Sequence, residues 1–425
     1  MKAHSLLIIA ILAFTSIILI GIGCKYDVAE QKWDSPPESL SEVTISDVVP
    51  PQALAGVNYI TINGSNFSGA LDTNVVTNHV SYTDSSNVVK DTIVYSATFV
   101  YNGVYFDNVQ AKILEITPTM IKVNRPPVAS NNCSIKIVSN NALKVQKHTY
   151  RIDLVMEAFG AFVSNDPLTA IDVDNAGNIY VAKGSAAFSI FKITPSGDKT
   201  MIGVAPWAPS DAQVGPDGNL YYLNNVLPTG TRPKQIRMVY KDSLLTADTL
   251  WYTVGAKNIS VGDFAANGYF YSGGRRTSIL VIRPNLTQRV DAFYATDTIQ
   301  AMRVYNNYLY VATPSAIFRH SLSDTSVIGA QQQIINLNQG ILASARPLKA
   351  FSFSVDGSKL LLGTDSKYPV LIADATTIPI TIDKVEPLYI DILPANCKQF
   401  CFGQYLYCIL GNGLYRIDVG TTGVN

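Results

Sequence analysis

AIDVDNAGNIYVA at 170–182, AQVGPDGNLYYLN at 212–224, VGDFAANGYFYSG at 261–273, AMRVYNNYLYVAT at 301–313, FSFSVDGSKLLLG at 351–363 and KQFCFGQYLYCIL at 398–410 are six copies of one pattern. In each, an apolar strand runs into a turn built from Asn, Gly or Asp and returns as a second strand, which carries an aromatic in every copy but the fifth. Tyr180, Tyr221, Tyr271, Tyr310, Leu361 and Tyr407 occupy the equivalent place, 41, 50, 39, 51 and 46 residues apart. That period fits a repeated unit of four antiparallel strands.

Further strands follow each pair. Third strands read as SIFKITPSG (189–197), KQIRMVYK (234–241), TSILVIRPN (277–285), AIFRHSLSD (316–324), PVLIADATT (369–377) and GLYRIDVG (413–420). Fourth strands fall near 199–204, 249–254, 287–294, 332–337 and 386–393, so the sixth unit lacks one. DLVMEAFG at 153–160 precedes the first unit and can fill that gap, closing a ring and removing an exposed sheet edge. The pattern predicts a six-bladed β-propeller over 153–425. Its copies "DNAGNIYVA" and "GPDGNLYYLN" resemble the NHL-type propeller repeat, with looser copies in blades three to six.

Upstream, short alternating strands broken by Gly, Asn and Pro run from Val43 to Ile152, which predicts a small β-sandwich. ITINGSNF at 60–67, VYF at 104–106 and TPTMIKV at 117–123 carry a resemblance to the IPT/TIG family of immunoglobulin-like domains. That resemblance covers about 43–152 and implies a spacer or binding module without chemistry of its own. The stretch near 71–100, rich in Asn, Asp, Ser and Thr, is an insertion relative to that family and is read as a solvated loop. The whole chain is therefore expected to be all-β, a sandwich followed by a propeller.

The N-terminus sets the expected compartment. Lys2 precedes an uncharged, mostly apolar run from Leu6 to Ile22, and residues 1–23 read as an export signal. The run ends in Ile20-Gly21-Ile22-Gly23-Cys24, which resembles the lipobox of bacterial lipoproteins, where the cysteine is lipidated and becomes the new N-terminus. A transmembrane anchor and a plain secretory signal are the alternatives. Residue 25 is Lys rather than the Asp that resembles an inner-membrane retention signal, so a lipid anchor in the outer membrane is expected, facing the periplasm or the surface. Residues 24–42, polar and broken by Pro36-Pro37, form a tether.

Composition narrows the function. Of 425 residues 47% are hydrophobic and 15% charged, and 32 basic residues balance 32 acidic ones, so no basic field exists to attract nucleic acid. Five cysteines do not make a disulfide scaffold; Cys133, Cys397, Cys401 and Cys408 read as buried hydrophobes or as candidate disulfide partners. His79, His148 and His320 lack metal-ligand spacing. Asp172, Asp174 and Gly177 mimic the start of a calcium loop, but Ala176 and Lys183 stand where oxygen ligands belong, so a hairpin turn is expected. No metal, cofactor or catalytic group is expected.

Six-bladed propellers include lactonases that hold a metal with carboxylates in the channel. Here Glu157 and Glu386 are the only glutamates of the propeller and fall on outer strands, while Asp172, Asp211, Asp263 and Asp356 keep an enzyme reading open. Anchor, tether, sandwich and propeller together resemble surface glycan-binding lipoproteins that serve nutrient-uptake porins, and a protein partner fits equally. A lactonase-like or polysaccharide-cleaving propeller is the alternative. The loops joining outer to next inner strands, and second to third strands, supply the candidate binding residues Trp207, Arg275, Arg276 and Tyr368, beside the span Asn224 to Pro233. Aromatic planes stack on sugar faces and arginine forks donate paired hydrogen bonds. Trp251, on an outer strand, reads as packing.

Overall fold

Alternating apolar residues on residues 43–152 become the inner faces of two four-stranded sheets. The computed structural model describes residues 43–67, 75–83, 89–97, 103–138, 146–163, 166–184, 188–224, 234–242, 248–255, 258–275, 278–294, 296–323 and 327–424. One sheet orders its strands Thr44–Val49, Tyr59–Ser65, Met120–Asn124, Ile113–Thr117; the other Gln146–Ile152, Ser130–Val138, Gly103–Phe106, Val109–Ala111. Ile60, Ile62, Val104, Phe106, Ile121, Val123, Ile135 and Tyr150 bury themselves between the sheets, each at a period of two along its strand. The inserted stretch is not a bare loop. Val75–Thr83 pairs with Val89–Ala97 as a two-stranded hairpin, because VVTNHVSYT and VKDTIVYSA carry β-branched and aromatic residues that outweigh their polar neighbours.

The remaining strands form six antiparallel four-stranded sheets, five of them in chain order. Their first strands are Leu168–Val173, Asp211–Val214, Val261–Phe264, Ala301–Tyr305, Leu348–Phe353 and Cys397–Phe402, numbered here as blades 1 to 6. Each first strand touches the next, and that of blade 6 returns to that of blade 1, so the six line a closed channel. Closure occurs as the sequence predicts. Met156–Ala158 supplies the outer strand of blade 6, with Met156, Glu157 and Ala158 opposite Ile417, Arg416 and Tyr415, and Glu157 paired to the Arg416 guanidinium. The aromatic column also has its reason: Tyr180, Tyr271, Tyr310 and Tyr407 are buried and fill the wedge between neighbouring blades.

Sandwich and propeller meet through a buried polar joint. Arg125, 2% exposed, donates to the carbonyls of Leu54 and Asp153, and its guanidinium lies 5.6 Å from the Tyr389 ring centre. The Tyr389 hydroxyl accepts from the Gly56 N–H at 2.6 Å and donates to the Asp418 carbonyl at 2.5 Å. Asn58 completes the set, donating to Glu386 at 3.0 Å and accepting from the Tyr389 N–H at 3.0 Å.

Candidate functional site

An inner strand is the edge of its blade, so the backbone groups on its free side have no strand partner. Three aspartates resolve this for half the ring. Asp172 of blade 1 accepts the Val214 N–H of blade 2 at 2.6 Å, Asp211 accepts the Gly262 N–H of blade 3 at 2.9 Å, and Asp263 accepts the Val304 N–H of blade 4 at 2.7 Å. Each carboxylate is a clamp between successive blades.

The register places six side chains at one level of the channel. Asp172, Gln213, Asp263, Arg303, Ser352 and Cys401 sit opposite Tyr180, Tyr221, Tyr271, Tyr310, Leu361 and Tyr407, the aromatic column read from the sequence. Arg303 reaches across the axis, donating to the Gln213 side chain at 2.8 Å and the Phe351 carbonyl at 3.4 Å, with Asp263 at 3.9 Å. One layer further in, the Gln399 amide crosses to Asp211. The channel is therefore plugged by polar side chains rather than open along its length.

Electrostatics follow from this placement. Burial pushes the Asp172 carboxyl up to about 7 and that of Asp211 up to about 6, against the pull of the Arg303 guanidinium on both. Asp263 is raised for the same reason, and the three carboxylates hold Arg303 above its ordinary value despite the cost of its burial. Cys401 lies in the same surroundings, where burial and the Asp172 charge drive its thiol well up, so it is a poor nucleophile.

Above the plug the channel widens into a cavity of about 630 Å³. It opens at the end where first strands turn into second strands, and the hairpin tips of blades 1 to 4 form its rim, Asn175, Asn267, Asn306 and Asn307 among them. On the other side the chain beyond blade 6 forms the wall. Val355 donates its N–H to the Thr422 carbonyl at 2.9 Å, Gly423 to Gly403 at 2.7 Å and Val424 to Phe353 at 3.1 Å, which lays 422–424 over blades 5 and 6.

The sequence-chosen binding residues sit elsewhere. Trp207 lies half-buried in the loop from the outer strand of blade 1 to blade 2. Arg275 is exposed after the second strand of blade 3, bridged to Thr298, and Tyr368 is half-buried before the third strand of blade 5, with the Lys367 ammonium 4.9 Å from its ring. By strand direction these loops gather at the opposite end of the channel from the cavity. Arg276 and most of the span Asn224 to Pro233 lie outside the described residues, as do the export signal, Cys24 and the tether.

Other candidates resolve into structure. Asp174 caps its hairpin, accepting the N–H groups of Ala176 and Asn178 at 2.9 and 2.8 Å, with Gly177 at φ 79°. Asp356 caps its own hairpin outside the channel, accepting the Ser354 hydroxyl and the Ser358 N–H. His320 is buried with Nδ1 on the Gly329 carbonyl and Nε2 on the Tyr294 hydroxyl. Glu157 and Glu386 are on outer strands. Cys401 stands opposite Tyr407 and Cys408 opposite Phe400; the four described cysteines are free and buried. Trp251 packs against Tyr221, Phe264 and Phe270. Among the described residues no group of three or more His, Cys, Asp or Glu is placed to hold a metal ion.

Comparison with known proteins bears on the two domains separately. Residues 43–152 match the IPT/TIG domain. The sandwich is an IPT/TIG domain. An auxiliary nutrient binding protein from Bacteroides thetaiotaomicron superposes with a TM-score of 0.50 at 10% identity, over 90% of this chain and 98% of its own. At that identity the likeness speaks for the fold alone. A protein of unknown function from the same organism gives 0.47 at 11% identity over 90% and 99% of the two chains. A putative gluconolactonase gives 0.47 at 10% over 64% and 94%. No curated protein matches the chain.

Proposed function

We propose that this chain is a non-catalytic binding protein of the cell envelope, held by a lipid on Cys24, whose propeller recognises a carbohydrate or a protein. The observation that carries the reading is the pairing of a roomy cavity with a floor whose charged groups already serve the frame. A site of about 300–1,000 Å³ suits a small ligand or one end of a larger one. A lactonase of this architecture would need carboxylates free to grip a metal. Here Asp172, Asp211 and Asp263 each accept a backbone N–H, and the Arg303 guanidinium lies among them where a second cation would meet its charge. A nutrient-binding neighbour of like fold agrees with this reading.

Two measurements test it. Cys24→Ala should abolish lipidation and move the protein from the membrane to the soluble fraction, since acyl chains anchor at about 0.8 kcal/mol per buried CH₂. A variant that stays in the membrane with its export signal uncleaved supports the transmembrane alternative. The purified protein should be retarded in gels cast with a polysaccharide, or bind an outer-membrane partner, without turnover. Hydrolysis of a δ-lactone panel that is lost in Asp172→Asn would replace this reading with the enzymatic one.

A further inference from the structure

The walls of the hairpin-side cavity differ from its floor. Phe264 and Tyr305 line it from blades 3 and 4, and both rings are fixed from behind. Phe264 is backed by Phe270 at 4.7 Å, Tyr221 at 4.8 Å and Trp251 at 5.9 Å. Tyr305 stacks on Phe353 at 5.3 Å and 18°, and its hydroxyl donates to the Val355 carbonyl at 3.0 Å. Flat rings held before a ligand arrives lose little freedom on contact. They suit the C–H face of a ring that is apolar on its flats and polar at its edge.

The rim supplies the complementary polar groups. Asn175, Asn306 and Asn307 are exposed at hairpin tips, and among the described residues no hydrogen bond engages their side-chain amides. Each amide offers both donors and an acceptor, as a hydroxyl does. Asn306 and Asn307 hold φ of 50° and 60°, the two left-handed positions of a tight two-residue turn, so their placement is set by the hairpin. At the floor, Asp172 and Asp263 accept while Arg303 donates, with Asp211 one layer beneath.

Charge selects among ligands. Each charged group at the floor already has a protein partner, Asp172 the Val214 N–H, Asp263 the Val304 N–H and Arg303 the Gln213 side chain, so a charged ligand would have to displace one of them. A ligand rich in hydroxyls and without net charge fits every group named.

Resting on the binding reading above, we infer that the hairpin-side cavity is a binding site for a neutral saccharide, with Phe264 and Tyr305 as its stacking walls and Asn175, Asn306 and Asn307 as its hydroxyl-reading rim. The sugar is thereby placed at the cavity instead of at the opposite end of the channel, where Trp207, Arg275 and Tyr368 lie.

Calorimetric titration of the full detergent-purified chain decides this. The probes are glucose, galactose, mannose, xylose and their homodisaccharides, with glucuronate and glucosamine as charged counterparts. At least one neutral sugar should bind, and its charged counterparts should bind more weakly. Tyr305→Ala should weaken that sugar by about three- to tenfold, the worth of an aromatic contact. The double change Asn306→Gly and Asn307→Gly keeps the left-handed turn while deleting both amides, and should also weaken binding without lowering the melting temperature. Trp207→Ala should bind as the unaltered protein does. Unchanged affinity in both cavity variants overturns the site. If Trp207→Ala alone loses the sugar, the binding reading survives and this location falls. Preference for glucuronate or glucosamine overturns the neutral class, and failure of every probe overturns the saccharide assignment while leaving the anchor and a protein partner to their own tests.

Discussion

Replacing Arg303 by Met keeps most of the volume of the plug and removes its charge. Two acceptors, the Gln213 side chain at 2.8 Å and the Phe351 carbonyl at 3.4 Å, lose their donor, and Asp172, Asp211 and Asp263 lose their common counter-charge. Breaking a buried ion pair from one side costs about 3–5 kcal/mol. For a unit of this size about 2 °C of melting temperature corresponds to 1 kcal/mol, so the propeller should melt about 6–10 °C lower at pH 8. The loss must depend on pH. The folded protein holds the Asp172 carboxyl at about 7 and Asp211 at about 6, both above an unfolded carboxyl near 4. The folded state thus binds protons that the unfolded state has released between about pH 4 and pH 7, and stability from these groups falls as pH rises through that window. Arg303 pulls all three carboxyls down, so its removal raises them further and steepens the fall. At pH 5 the Asp172 and Asp211 carboxyls of Arg303→Met are neutral and the deficit should shrink markedly. Scanning calorimetry at pH 5 and pH 8 reads both values. An equal loss at the two pH values, or a larger one at pH 5, would show that the guanidinium does not balance these carboxylates.

Tyr389→Phe should cost about 1–3 kcal/mol, because the Gly56 N–H and the Asp418 carbonyl are both left in the joint without a partner. Chemical denaturation measures it, and proteolysis between sandwich and propeller should quicken. Gly423→Ala should dislodge the chain from the cavity wall, since a Cβ there runs into the Phe402 ring and its carbonyl; faster carboxypeptidase trimming is the expected sign, with the propeller melt nearly unchanged.

Much of this architecture is legible in the sequence because a propeller repeats one local decision. The turn glycines Gly177, Gly218 and Gly268 recur with a tyrosine three positions later, and the missing outer strand of blade 6 points to the strand at 153–160. The paired strands 75–83 and 89–97 escape that reading because the polar residues among their β-branched ones look like a loop once composition is weighed over alternation. The site is less legible. Loops at the far end of the channel draw attention through Trp207 and Arg275, whereas the cavity is made by short hairpin tips whose asparagines read as turn formers. One signal was available: Arg303 holds the same repeat position as Asp172 and Asp263, opposite Tyr310, Tyr180 and Tyr271. A lone basic residue in an inner-strand column that also holds two acids implies an axial contact. That Gln399 and Asp211 meet across the ring depends on closure, which no local window contains.

The stretch that follows Ile417 joins two mechanical tasks. Its first part is held at the joint, with the Asp418 carbonyl on the propeller's own Tyr389 and Gly420, at φ 75°, so close to the sandwich's Ala55 carbonyl that a Cβ would sit 2.7 Å from it. Its last part, only two residues further on, is wall for the cavity. A lever this short has almost no slack. Any swing of the sandwich about the joint must either be absorbed by the backbone between Gly420 and Thr422 or be delivered to Val424, and a ligand wedged against that wall pushes back along the same path.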